Sequence, residues 1–103
     1  MTDVLDPFRL DGKVAVLTGA GSGIGKATAE LFASVGASLI LGDSDEVAVT
    51  ATADAITAAG GDAVALRCDI TQKADNEALV GRAVADHGRL DVMGNIAGVP
   101  HNR

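Results

Sequence analysis

The stretch LTGAGSGIGKA, Leu17 to Ala27, places glycines at positions 19, 21, 23 and 25 directly behind the apolar run VAVL. Residues without side chains leave backbone N–H groups open. Where such a loop runs into a helix N-terminus, those amides and the helix dipole favour an anion, a phosphate above all. Spacing decides between kinds of phosphate loop. A triphosphatase loop needs Gly, four residues and then Gly-Lys-Ser/Thr. Here Gly25-Lys26 is preceded five residues earlier by Ala20 and followed by Ala27, so the first glycine and the magnesium-binding hydroxyl are both missing. The G-x-G-x-x-G pattern fails too, because its last position falls on Ile24 counted from Gly19 and on Lys26 counted from Gly21. What remains is T-G-x-x-x-G-I-G, carried by Thr18, Gly19, Gly23, Ile24 and Gly25. Taken alone it is a weak signal, the alternative being a tight turn with no ligand.

A second residue adds weight to a dinucleotide. An acid about 20 positions past such glycines, at the end of the next strand, accepts hydrogen bonds from the adenosine ribose hydroxyls. Asp43 stands 24 positions after Gly19, at the end of SLILG. Its charge repels the 2′-phosphate of NADP, and neither the loop nor Ser44 supplies a lysine or arginine to attract one, so NAD is the expected cofactor. Asp43, Ser44 and Asp45 are also helix-capping types, and Asp45 is the expected pure cap. Cys68 has no neighbouring Cys or His at metal-ligand spacing and reads as a buried, inert thiol. No metal site is expected.

These residues need a scaffold that brings strand ends together, and the chain alternates apolar runs with turn signals to match. KVAVLT is continuously apolar after the Asp11-Gly12 turn, as suits a strand buried on both faces. Gly23 to Val35 places Ile24, Ala27, Thr28, Leu31, Phe32 and Val35 at helical spacing, with Gly36 as the stop. SLILG is a second strand, Glu46 to Ala59 a helix ending at Gly60-Gly61, and DAVALRC a third strand. Thr71 is the expected cap of a helix running to about His87, with Val80, Ala83, Val84 and His87 inward, and LDVMGN is the fourth strand. Strands separated by single helices pair in parallel through right-handed crossovers, giving an open α/β sheet with helices on both faces.

Composition limits the alternatives. A chain of 103 residues, 48% hydrophobic but only 2% aromatic, supports one small domain with an aliphatic core. Fourteen acidic against eight scattered basic residues give a net charge of −6, which argues against nucleic acid. The acidic start MTDVLDPFRL is unlike a secretory leader, and no apolar run approaches the ~20 residues of a membrane span, so a soluble cytoplasmic protein is expected.

At this point the sequence resembles the short-chain dehydrogenase/reductase family, from GKVAVLTGAGSGIGKATAELFASVGA onward. The motifs appear in order: T-G-A-G-S-G-I-G, Asp43, CDIT with Asp69 and Ile70, and GRLDVMGNIAG. The resemblance implies a Rossmann-like sheet of order 3-2-1-4. It implies that Gly19, Ser22, Gly23, Ile24 and Gly25 line the pyrophosphate and nicotinamide side, that Asp43 holds the ribose, and that Asp69 with Ile70 borders the adenine. Spacing alone also makes Asp69 an Asx-type turn. The family's Asn-Asn-Ala-Gly signature stands here as Asn95, Ile96, Ala97 and Gly98, with Ile in place of the second Asn. Asn95 can still pin adjacent strand ends, and Ile96 and Gly98 can still offer backbone to the cofactor, but a side-chain polar contact is lost.

In this family a tyrosine handles the proton that accompanies hydride transfer, a lysine four residues later lowers its pKa, and a serine holds the substrate oxygen. This chain contains no tyrosine and ends at Arg103, less than half the usual family length. No catalytic residue is assigned, and neither His87 nor His101 is nominated. Residues 1–103 are expected to be the N-terminal, NAD-binding part of one Rossmann domain, inactive by itself. Substrate and homo-oligomer contacts would belong to a fuller form, and the fourth strand would be left as an open apolar edge. The alternatives are a free-standing NAD-binding module without catalysis and a domain with no ligand.

Overall fold

The computed structural model describes residues 9–96. Seven elements follow one another: β1 (Val14–Thr18), α1 (Gly23–Ser34), β2 (Ser38–Asp43), α2 (Glu46–Ala58), β3 (Asp62–Arg67), α3 (Lys73–His87) and β4 (Val92–Asn95). All four strands are parallel, in the order β3-β2-β1-β4. The expected α/β order is therefore the observed one. β1 is central, with all five residues buried, and this explains its unbroken apolarity. Among the described residues β4 pairs with β1 alone, from Ala15↔Val92 to Thr18↔Asn95, and its Met93 is 47% exposed.

The sheet carries helices on both faces. Leu17, Leu39 and Leu41 point to the side covered by Ala29 of α1 and Val49, Ala53 and Ile56 of α2. Val14, Val16 and Ile40 point to the other side, beneath Leu79 and Ala83 of α3. Alternation along each strand thus serves two cores. At the base of the sheet Asp91 joins β1 to β4. Its Oδ2 accepts the Val14 N–H at 2.8 Å, and its two oxygens hold the fork of Arg89 at 2.8 and 2.7 Å.

Both outer helices sit differently from their periodicity. In α1 the expected stripe is split: Phe32 packs on the core and Val35, just past the helix, is buried, yet Ile24 is 77% and Leu31 60% exposed, while Gly25 and Ala29 are the buried residues within the helix. The reason is the loop: Gly25 lies so close to the Gly19 carbonyl that a Cβ would overlap it, and this contact turns the small-residue face toward the sheet. In α3 Ala83 is buried as expected, but Val84 is half exposed and Leu79, absent from the expected face, is fully buried. Leu79 rests on Gly42 of β2, where a Cβ would lie 2.9 Å from its Cδ1.

The helix ends also divide. Asp45 caps α2 as expected, its Oδ1 accepting the Ala48 N–H at 3.0 Å. Thr71 does not cap α3. That helix begins at Lys73 behind Gln72, and the Thr71 hydroxyl is already donated to Asp69 Oδ1 at 2.6 Å.

Candidate functional site

The order β3-β2-β1-β4 means that the chain leaves β1 in one direction to build β2 and β3, then returns to the opposite side of β1 for β4. Loops diverge at this crossing point, so a crevice opens at the C-terminal strand ends. The structure has a cleft there of about 480 Å³, within the usual range for small-molecule sites. The β1–α1 turn contributes Gly19 and Ser22, the first turn of α1 Ile24 and Gly25, the end of β2 Asp43 with Ser44 just past it, and the segment following β3 Cys68, Asp69 and Ile70. Ile96, just past β4, completes the wall.

The glycines have separate jobs. Gly19 and Gly23 have φ of 70° and 59°, a left-handed backbone that suits glycine. Gly25 is needed for proximity to the Gly19 carbonyl. Helix α1 starts behind Ser22, whose extended backbone (φ −161°) makes no side-chain cap bond, and no acidic residue stands in the first turn. No acid of the helix's own first turn therefore offsets the positive end of its dipole where the cleft meets the helix.

Asp43 is held from two sides. Its Oδ2 accepts the Gly21 N–H at 2.9 Å and its Oδ1 the Asp45 N–H at 2.9 Å. Its backbone carbonyl accepts the Cys68 N–H at 2.9 Å, which ties the end of β2 to the end of β3. A carboxylate accepts about four hydrogen bonds, so lone pairs on Asp43 remain for a ligand.

Asp69 forms the expected Asx turn, accepting the Thr71 N–H at 2.9 Å and its hydroxyl at 2.6 Å on one oxygen. These bonds, the hydroxyl's first, lower its pKa below the ordinary carboxylate value. The Asp69 N–H is donated to Asp75 Oδ2 at 3.0 Å, and Asn76 Nδ2 donates to the Ile70 carbonyl at 2.9 Å, so α3 fixes this corner. Burial, with the Asp75 charge next, raises the Cys68 thiol above its ordinary pKa.

Most of the candidate residues thus meet in one cleft. Asn95 and Gly23 are not on its wall. Asn95 is engaged beside it, its Oδ1 accepting the Thr18 hydroxyl at 2.8 Å, which is the strand-pinning role expected of it. Gly98 lies outside the described residues. Ser44 and Cys68 line the cleft without having been assigned to it, although each directly flanks an assigned aspartate in sequence. Gly21 was a variable position of the motif, and only the fold brings it against Asp43. The cleft lining contains no lysine or arginine, and among the described residues no cluster of three or more His, Cys, Asp or Glu could hold a metal ion. No described helix is long and apolar enough to cross a membrane.

A parallel 3-2-1-4 sheet with a glycine turn opening at its crossing point defines a Rossmann-like α/β protein. Within that class, the profile of the short chain dehydrogenase family matches residues 13–103, and the chain belongs to this family. The 7alpha-hydroxysteroid dehydrogenase of Escherichia coli K12 is 45% identical over 93 residues, which cover 90% of this chain and 36% of that enzyme. A solved short chain dehydrogenase/reductase from Burkholderia phymatum in complex with NAD superposes with a TM-score of 0.80 at 44% identity, over 84% of this chain and 31% of the other. A 7 alpha-hydroxysteroid dehydrogenase complexed with NADH and 7-oxo glycochenodeoxycholic acid superposes at 0.83 with 43% identity, over 90% and 36%. The chain spans little more than a third of the length of the curated relatives it matches.

Proposed function

We propose that these residues are the nicotinamide-dinucleotide-binding part of a single Rossmann domain in an oxidoreductase that moves a hydride between NAD and a carbonyl or secondary alcohol. The observation that carries this reading is the convergence of the glycine turn, the Asp43 carboxylate and the Asp69-Ile70 corner on one cleft. The relatives solved with NAD and with NADH support it.

In this reading the backbone around Gly19, Ser22, Gly23 and Gly25 holds the pyrophosphate against the N-terminus of α1, where the dipole opposes its charge. Ile24 and Ile96 cover the nicotinamide side, with Asn95 and Gly98 supporting it. Asp43 accepts from the ribose hydroxyls and excludes a 2′-phosphate, because no cation in the lining offsets its charge. Asp69 and Ile70 border the adenine. NAD, when bound, supplies the carbon that takes or gives the hydride. The 103 residues contain no tyrosine, so the family's proton donor is not among them, and no residue here is assigned a catalytic role. The net charge of −6 fits a protein without a nucleic-acid partner, and a cytoplasmic location is part of this reading.

Calorimetric titration of the chain with NAD and NADP tests this. Heat with NAD, weaker or absent heat with NADP, and an affinity for NAD about tenfold or more lower in Asp43→Ala are expected, in line with loss of a charge-assisted bond. A well-folded chain that gives no heat with either dinucleotide overturns the reading.

A further inference from the structure

We infer that Gly21, a position the family pattern leaves open, is a positioning residue that sets the Asp43 carboxylate and through it the discrimination between NAD and NADP; the inference rests on the dinucleotide reading above. Three observations carry it. The Gly21 N–H donates to Asp43 Oδ2 at 2.9 Å, while the other oxygen is held by the Asp45 N–H from the α2 side. A Cβ on Gly21 would stand 2.9 Å from that same Oδ2 and 3.2 Å from Asp43 Cγ. It would also stand 2.9 Å from the Ala48 Cβ, in the first turn of α2.

Gly21 is also not among the residues of positive φ. Its backbone is therefore one that an L-residue adopts, and the demand for glycine here is one of space. This separates it from Gly19 and Gly23. A methyl at position 21 has the Asp43 carboxylate on one side and the Ala48 methyl on the other. The side that yields is the carboxylate, because it turns about its own χ angles, whereas Ala48 is fixed in a helix whose cap bond uses its N–H. Displacing the carboxylate removes the acceptor for the ribose hydroxyls. It also moves the charge that repels a 2′-phosphate, so the affinity for NAD falls while that for NADP holds or rises.

The test compares wild type, Gly21→Ala and Gly21→Ala/Ala48→Gly by calorimetry with NAD and NADP, with circular dichroism to follow folding. The expected result is an NAD-over-NADP preference about tenfold smaller in Gly21→Ala, the size of one charge-assisted hydrogen bond. Recovery is expected in the double variant, where the methyl can move toward position 48. A general loosening of the fold lowers both affinities together and is not relieved by a second glycine. Should Gly21→Ala not fold, the wild-type contact is read by amide NMR: in Asp43→Ala the Gly21 amide proton shifts upfield and exchanges about tenfold faster than in wild type. An unchanged NAD-to-NADP ratio in folded Gly21→Ala, or an unchanged Gly21 amide in Asp43→Ala, overturns the inference and leaves the dinucleotide reading standing. Absence of any dinucleotide binding by the wild type removes both.

Discussion

The hydroxyl of Thr18, at the end of β1, donates to Oδ1 of Asn95, at the end of β4, across 2.8 Å and 77 positions of sequence. The two ends are unequal, since Thr18 is 1% exposed whereas Asn95 reaches solvent. Removing the acceptor leaves a buried hydroxyl unpaired, and removing the donor leaves an amide that water can satisfy. Asn95→Ala should therefore cost about 1–3 kcal/mol, and Thr18→Val, nearly isosteric, distinctly less. Urea unfolding midpoints with unchanged slopes measure both, and an equal cost for the two would contradict this account.

Gly25 and Gly81 are helical glycines with opposite surroundings. A Cβ on Gly25 would overlap the Gly19 carbonyl, while one on Gly81 would meet nothing within 4 Å. Gly25→Ala should lose about 1–3 kcal/mol through overpacking and abolish dinucleotide binding by pushing α1 off its loop. Gly81→Ala, in the middle of α3, should gain up to about 1 kcal/mol from helix propensity. Thermal unfolding and calorimetry together separate the two glycines.

Leu79 and Gly42 form one packing unit, with 2.9 Å from a Gly42 Cβ to Leu79 Cδ1 and 3.0 Å to Cys68 Cβ. Leu79→Ala should cost about 2–5 kcal/mol as a cavity, and Gly42→Ala about 1–3 kcal/mol as overpacking. In the double variant the new methyl enters the space left by the leucine. The combined loss should fall short of the sum by at least about 0.5 kcal/mol, and strict additivity in a denaturant cycle would rule out direct contact.

Asp91 makes stability depend on acid. The Arg89 fork first, then the Val14 N–H, lower its pKa below the ordinary carboxylate value. A carboxylate lowered in the folded state contributes stability that is fully present above its unfolded value, about 3.9. That contribution is lost as the pH falls through the folded value. The gap in melting temperature between wild type and Asp91→Asn should thus be constant above about pH 5 and close progressively toward pH 3. Asp11, lowered by Arg9, and Asp69, lowered by Thr71, titrate in the same window in both proteins and cancel in the comparison. A gap that widens with acid would refute the assignment.

The strands and their parallel pairing were legible in the residues because local signals agree with one another, and their order came with the family resemblance. Continuous apolarity in VAVLT and SLILG means burial on two faces, single helices between strands force parallel pairing, and the glycine turn falls where strand order reverses. The helix faces were legible only in part, with Phe32, Val35 and Ala83 inward as their spacing implies. Ile24, Leu31 and Val84 obey helical spacing and still face outward, because the rotation of α1 is set by Gly25 against Gly19 and the seat of α3 by Leu79 on Gly42. Thr71 illustrates the same limit, since a capping residue type had a stronger local partner in Asp69.

The site divides along the same line. Residue types and spacing pointed the bare turn and the acid 24 positions on toward one chemistry, because each is a local feature of a strand end, while the Asp69-Ile70 pair entered only through the family resemblance. Only the tertiary structure decided that Gly21 holds the Asp43 carboxylate, that Ser44 and Cys68 line the cleft, and that Thr18 spans to Asn95. Such contacts join different elements, and their existence depends on how closely loop, strand and helix approach, a distance that no pattern along one segment encodes.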